Sequence, residues 1–211
     1  MKNFNLSVYL VTDNVISSKS LPEAVEQSIL GGATVVQLRE KNLSSKDFLR
    51  EAFEVKHIAD KYHIPLIIND RIDIALCVDA AGVHLGQSDI DILNARKILG
   101  EDKIIGISVT TVEQALEAEK NGADYLGAGA LFSTPTKDDA KLCSLDELRK
   151  IISSVDIPVV GIGGLNETTI PKLKNFGLAG YAVVSAILSK KDIKSATENI
   201  KKMYDENEIL S

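Results

Sequence analysis

The chain has 211 residues, 45% of them hydrophobic and 26% charged, with a formal net charge of -6. That composition supports a sizeable core and excludes disorder, and an acidic balance without any Lys/Arg run argues against a nucleic-acid partner. Met1 to Thr12 lacks the pattern of a signal peptide and no apolar run has the length of a bilayer span, so no membrane partner and a cytoplasmic location are expected.

From Val8 onward, short apolar or β-branched runs alternate with amphipathic segments, the pattern of parallel strands joined by helices. Val8 to Val11 is the first predicted strand. Ser20, followed by Pro22 and Glu23, opens the first helix, and Gly31 with Gly32 closes it. The second strand, Val35 to Leu38, precedes a helix opened by Ser44 and Asp47. On that helix Phe48, Ala52, Val55 and Ala59 recur at helical steps and face inward. Strands follow at Pro65 to Ile68, Gly82 to Leu85 and Ile104 to Ile107, and Thr110 with Glu113 caps the next helix. Tyr125 to Gly127 comes sixth, before a helix capped by Ser144 and Glu147. Pro158 to Ile162 and Tyr181 to Val184 complete the set, and Ile193, Ala196, Ile200 and Met203 mark the inner face of the last helix. About eight such strands close a (β/α)8 TIM barrel, expected here as a single domain over residues 1–211. An open doubly wound sheet is the alternative that the even spacing disfavours. Cys77 and Cys143 form no C-x-x-C pair and read as buried thiols.

Function in a barrel belongs to the loops that follow the strands. After the second comes Gln37-Leu38-Arg39-Glu40-Lys41, where alternation points Gln37, Arg39 and Lys41 to one side. Two cations and an amide converging there suit a polyphosphate; the plainer alternative is a pair of surface cations balanced by Glu40. Asp70, after Asn69, and Asp89 stand atop neighbouring strands, where they would share a magnesium ion or else each cap the helix behind it. Ser108, following the fifth strand, reads as a turn residue or a ligand contact. Beyond the sixth, Thr134, Pro135, Thr136 and Lys137 combine hydroxyls and a cation able to hold an anion, with turn formation accounting for Pro135. Gly161-Ile162-Gly163-Gly164 and Val184-Ser185 end the last two strands, where missing side chains let backbone amides approach a monophosphate. His57, His63 and His84 lack metal-ligand spacing and read as structural.

Taken in order, Gln37-Leu38-Arg39-Glu40-Lys41, Ile68-Asn69-Asp70-Arg71, His84-Leu85-Gly86-Gln87-Ser88-Asp89, Gly106-Ile107-Ser108, Thr134-Pro135-Thr136-Lys137, Gly161-Ile162-Gly163-Gly164 and Val184-Ser185-Ala186-Ile187 resemble the motif series of the thiamine phosphate synthases. The match runs from the second strand to the last; that family often has Glu where Ser88 stands. The resemblance implies a transferase that joins an aminopyrimidine diphosphate to a thiazole phosphate, or to its carboxylated form, and releases pyrophosphate by a dissociative route. It also implies that residues 37–41, including Leu38 and Glu40, hold the pyrimidine diphosphate together with Asn69, Ser108 and Lys137. Asp70 and Asp89 would hold Mg²⁺. Thr134, Pro135, Thr136, Gly164, Val184 and Ser185 would hold the thiazole phosphate, and Arg39, Lys41, Lys137 and Ser108 would be catalytic. Two rivals remain. A thiazole tautomerase would use a histidine just after the sixth strand, and Ala128 to Phe132 contains none. A non-catalytic thiazole phosphate sensor would have no need of the cations. Homo-oligomerisation is left open.

Overall fold

Side chains along a strand point alternately to its two faces, and strands buried on both faces read as nearly continuous apolar runs. A computed structural model describes residues 4–17, 19–133 and 142–208. Its strands are β1 (Val8–Val11), β2 (Val35–Leu38), β3 (Leu66–Asn69), β4 (Gly82–Leu85), β5 (Ile104–Val109), β6 (Tyr125–Ala128), β7 (Val159–Ile162) and β8 (Gly180–Val183). Each pairs in parallel with the next, and β8 pairs back onto β1, which closes the expected TIM barrel. Ser108 therefore lies inside β5 and not after it, whereas Val184 lies just beyond β8.

The surrounding helices are α1 (Leu21–Leu30), α2 (Ser45–Lys61), α3 (Ile72–Cys77), α4 (Ile92–Leu99), α5 (Val112–Lys120), α6 (Leu145–Ser154), α7 (Ser185–Leu188) and α8 (Ile193–Glu208). Between β7 and β8 the chain makes only a 3-10 turn, Ile170–Leu173, so the alternation is incomplete there. Ser44 and Ser144 accept from the amides of Asp47 (3.2 Å) and Glu147 (3.1 Å), as expected. The cap of α5 is one residue later than predicted. Thr111 accepts from the Gln114 amide, and Gln114 Oε1 reaches back to the Thr110 amide. At α1, Ser20 makes no side-chain cap bond, and the left-handed exit falls on Gly32 (φ 102°), with Gly31 right-handed. Gly31 is small for another reason: a Cβ there would sit 2.4 Å from the Lys194 carbonyl of α8. Of the two thiols, Cys143 is buried, but Cys77 at the end of α3 is exposed, contrary to expectation.

Alternation divides the interior into two cores. Outward-facing Leu10, Val36, Leu38, Ile68, Leu85 and Ile105 pack against the helices, where they meet Phe48, Ala52, Val55 and Ala59 of α2 and Ile193 and Ile200 of α8. Inward-facing Tyr9, Val35, Ile67, Ile104, Tyr125, Val160 and Ala182 fill the barrel itself. Burial of each large aliphatic side chain contributes about 1.5–3 kcal/mol, so these layers carry the stability. Toward the C-terminal ends of the strands the inward rows turn polar, with Gln37, Asn69 and His84 all buried. That switch makes a site at this end of the barrel.

Candidate active site

A cavity of about 550 Å³ opens at the C-terminal ends of the strands. Gln37, Arg39 and Lys41 line it together from the exit of β2, as the alternation predicted. Leu38 and Glu40, the intervening residues, do not. Leu38 is fully buried in the outer core, and the Glu40 carboxylate turns to Asn14, whose amide donates to it at 2.8 Å. The cations have other partners than the one proposed: Arg39 faces Asp13 at 3.9 Å, and Lys41 donates to Asp70 at 2.5 Å.

Asn69 at the end of β3, Asp70 just beyond it and Asp89 beyond β4 reach the same cavity. Neither aspartate caps the helix behind it, because Arg71 occupies that position at α3 and Asp91 at α4. Asp70 instead adopts a left-handed backbone (φ 60°) and donates its amide to the His84 carbonyl at 2.9 Å, which turns its side chain onto the rim. Asp89 accepts from the Gly86 amide at 2.7 Å, which tightens its loop. Burial, together with an Asp70 carboxyl within hydrogen-bonding reach, pushes the Asp89 carboxyl above its ordinary range. The two carboxyl groups face each other beside the Lys41 ammonium and are the residues that would hold a divalent cation.

Below this charge lies a polar floor that the sequence reading missed. His84 is 5% exposed, and its ring meets Ser108 Oγ through Nε2 and Tyr125 Oη through Nδ1, both at 2.9 Å. Tyr125 Oη is 2.6 Å from Tyr9 Oη, which accepts from Gln37 Nε2 at 2.8 Å. Burial drives both phenols far above their ordinary range, so they stay neutral and serve as hydrogen-bonding groups. The chain of contacts links Ser108 on β5 to Gln37 on β2 across the barrel. Gly106 makes it possible, since a Cβ there would lie 2.0 Å from Tyr125 Cζ. His84 reads as structural in the sequence because a lone imidazole on an apolar strand carries no spacing signal; its contact with Ser108 exists only across two strands.

On the opposite side Gly163, Gly164, Val184 and Ser185 line the cavity. Gly163 and Gly164 have positive φ (93° and 64°), and a Cβ on Gly164 would sit 2.7 Å from Phe132 Cβ and 2.8 Å from the Phe132 carbonyl. The glycines are therefore needed to let β7 pass the β6 exit, which is zipped onto it by Leu131 N to Ile162 O and Phe132 N to Gly163 O. Ser185 opens the short helix α7, beside loops that commonly bind phosphate in this fold. Thr134, Pro135, Thr136 and Lys137 lie outside the described residues.

A closed parallel barrel with a charged and glycine-lined cavity at its C-terminal face defines a (β/α)8 enzyme of the kind that acts on small molecules. The profile of the family described as thiamine monophosphate synthase matches residues 8–187. A thiamine-phosphate synthase of Ruminiclostridium cellulolyticum is 59% identical over 199 residues, covering 94% of this chain and 95% of its own. One from Methanobrevibacter smithii is 48% identical, covering 97% and 98%. Among solved structures, a thiamine phosphate pyrophosphorylase from Pyrococcus furiosus superposes with a TM-score of 0.89 at 41% identity, over 96% of each chain. The chain belongs to the thiamine monophosphate synthase family and is an enzyme, a transferase of thiamine biosynthesis. Among the described residues no helix is long and apolar enough to cross a membrane.

Proposed function

We propose that the enzyme condenses 4-amino-2-methyl-5-(diphosphooxymethyl)pyrimidine with 4-methyl-5-(2-phosphooxyethyl)thiazole, or its carboxylated form, giving thiamine phosphate and pyrophosphate. The observation that carries this reading is the meeting of Arg39, Lys41, Asp70 and Asp89 with Gly164 and Ser185 around one cavity. One side offers charge for a diphosphate, and the other offers backbone and a hydroxyl for a monophosphate.

The reaction is dissociative. The bond between the pyrimidine methylene carbon and the diphosphate oxygen breaks, and its electron pair leaves with pyrophosphate. The resulting methylene cation is stabilised by the aminopyrimidine ring until the thiazole nitrogen donates its lone pair to form the new carbon–nitrogen bond. Arg39 would bind departing phosphate oxygens through its planar fork, Lys41 would add a compact charge, and Ser108 would donate its hydroxyl. Such preorganised donors are commonly worth about 2.7–4 kcal/mol each. Gln37 and Asn69 would hold the pyrimidine on the inward face; Lys137 would join the cations and Thr134 and Thr136 the phosphate contacts. His84, itself held by Tyr125, would orient the Ser108 hydroxyl.

Asp70 and Asp89 fit magnesium, an ion that takes one or two carboxylates and completes its shell with phosphate oxygens and water. When bound there, it would supply charge neutralisation to the leaving pyrophosphate. No protein nucleophile is required. A protein that handled thiazole phosphate alone would have no use for Arg39, Lys41 and the two aspartates.

The test is to supply purified protein with both phosphorylated heterocycles and Mg²⁺ and to measure thiamine phosphate and pyrophosphate. Equal amounts of both products are expected. Formation of neither would defeat the reading, and a rate untouched by EDTA would defeat its metal.

A further inference from the structure

Glu40 stands between the two cations of the β2 exit, yet its side chain points to α2 and not to the cavity. Asn14 satisfies its Oε2, while Oε1 is buried without a donor among the described residues. Glu51 of α2 has the same defect at Oε2. The two carboxyl groups lie within hydrogen-bonding reach of each other. Each group is half-buried, with one oxygen buried and without a donor, which is costly; one shared proton makes one carboxyl a donor and satisfies both buried oxygens.

The charges around the pair do not replace that proton. Asp13, from the β1 exit, faces Glu40 and repels it, whereas Arg39 of its own loop attracts it. Glu51 is faced by Glu54 and Arg50 of its own helix, of opposite effect. Burial first, then Glu51, raises the Glu40 carboxyl to about 7, and burial raises Glu51 as well.

We propose that Glu51 is a positioning residue: by sharing one proton with Glu40 it clamps the β2–α2 loop onto α2 and so aims Arg39 and Lys41 at the cavity. The proposal rests on reading that side of the rim as the diphosphate site. Raising the pH through neutrality removes the shared proton, sets two like charges against each other and loosens the loop that carries both cations.

Inorganic pyrophosphate with Mg²⁺ serves as probe, its affinity measured by calorimetry between about pH 5.5 and about pH 8.5 for wild type, E51Q and E51A. Pyrophosphate titrates in this range too, so the readout is the ratio of variant to wild type. In E51Q the introduced side-chain amide donates to Glu40 at every pH. This variant is therefore expected to gain on wild type by about tenfold as pH rises across the window, one pKa unit's worth, while E51A binds more weakly throughout.

Thermal midpoints give an independent reading of the pair. A carboxyl raised in the folded state stabilises below its unfolded value and loses that contribution as pH rises through the folded one. The midpoint of E51Q should thus gain on wild type from about pH 4.5 to about pH 7 and then level. Flat ratios in both measurements would overturn the proposal. A moving midpoint with a flat affinity ratio would also overturn it, because the pair would then be structural only. Absence of pyrophosphate binding by wild type at every pH would instead bring down the diphosphate reading, and the positioning role with it.

Discussion

Arg39, Lys41, Asp70 and Asp89 bring charge to the rim between β2 and β4, whereas Gly163, Gly164, Val184 and Ser185 beyond β7 and β8 bring none. The charged half works through the ends of side chains, each aimed by its own strand, turn or partner. The glycine half works through the path of the backbone, which is held by hydrogen bonds between neighbouring strand exits. Deleting a functional group should therefore damage the first half and leave its fold intact. Adding atoms should damage the second.

The largest expected effect is on the charged side. Arg39→Ala should lower kcat by about 10²–10³-fold in a pyrophosphate-release assay, with Arg39→Lys recovering only part, since an ammonium cannot reproduce a planar fork. A full rescue by lysine would mean that only net charge matters there. Asp89→Asn comes next. Its amide oxygen can still accept from the Gly86 amide, so the loop should hold. Turnover should nevertheless fall by about 10²-fold, and EDTA should then have little left to remove. Unchanged sensitivity to EDTA in this variant would separate Asp89 from the metal.

On the glycine side, Gly164→Ala should raise KM for the thiazole phosphate by roughly tenfold with a smaller change in kcat, because the added methyl meets the Phe132 carbonyl and displaces backbone. Equal damage to the affinity for both substrates would show that the two halves do not act separately. The smallest effect is expected beneath the rim. Tyr125→Phe leaves the Tyr9 hydroxyl its Gln37 donor but removes the partner it shares with His84. A loss of about 1–3 kcal/mol in urea unfolding follows, together with a modest fall in turnover.

The charged half was legible in part: Gln37, Arg39 and Lys41 alternate in a strand exit and apolar runs break abruptly at Asn69-Asp70 and before Asp89, but Leu38 and Glu40, expected at the site, turn away from the cavity. Glycine by contrast is ambiguous until a neighbour is known. Gly163 and Gly164 read as a cradle for phosphate, while their immediate constraint is Ala130 and Phe132 of the adjoining exit. The Tyr9–Tyr125–His84–Ser108 floor was not legible at all, because its members come from β1, β6, β4 and β5 and no local pattern joins them. Capping showed the same division. Ser44 and Ser144 followed their local signal, but the Glu147 carboxylate turned outward to the Val112 amide of the neighbouring helix.

Period-two alternation, helix-start chemistry and the polar ends of the apolar runs are properties of a chain's own neighbours, and from them the sequence alone determined a closed barrel with chemistry at one rim. Which side chains actually face one another was decided only by closure. It turned Leu38 and Glu40 away from the cavity, set Asp70 against Asp89, and placed a buried tyrosine beneath a histidine from another strand. Contacts of that kind depend on the stagger and tilt of eight strands at once, a global quantity that no local run of residues records.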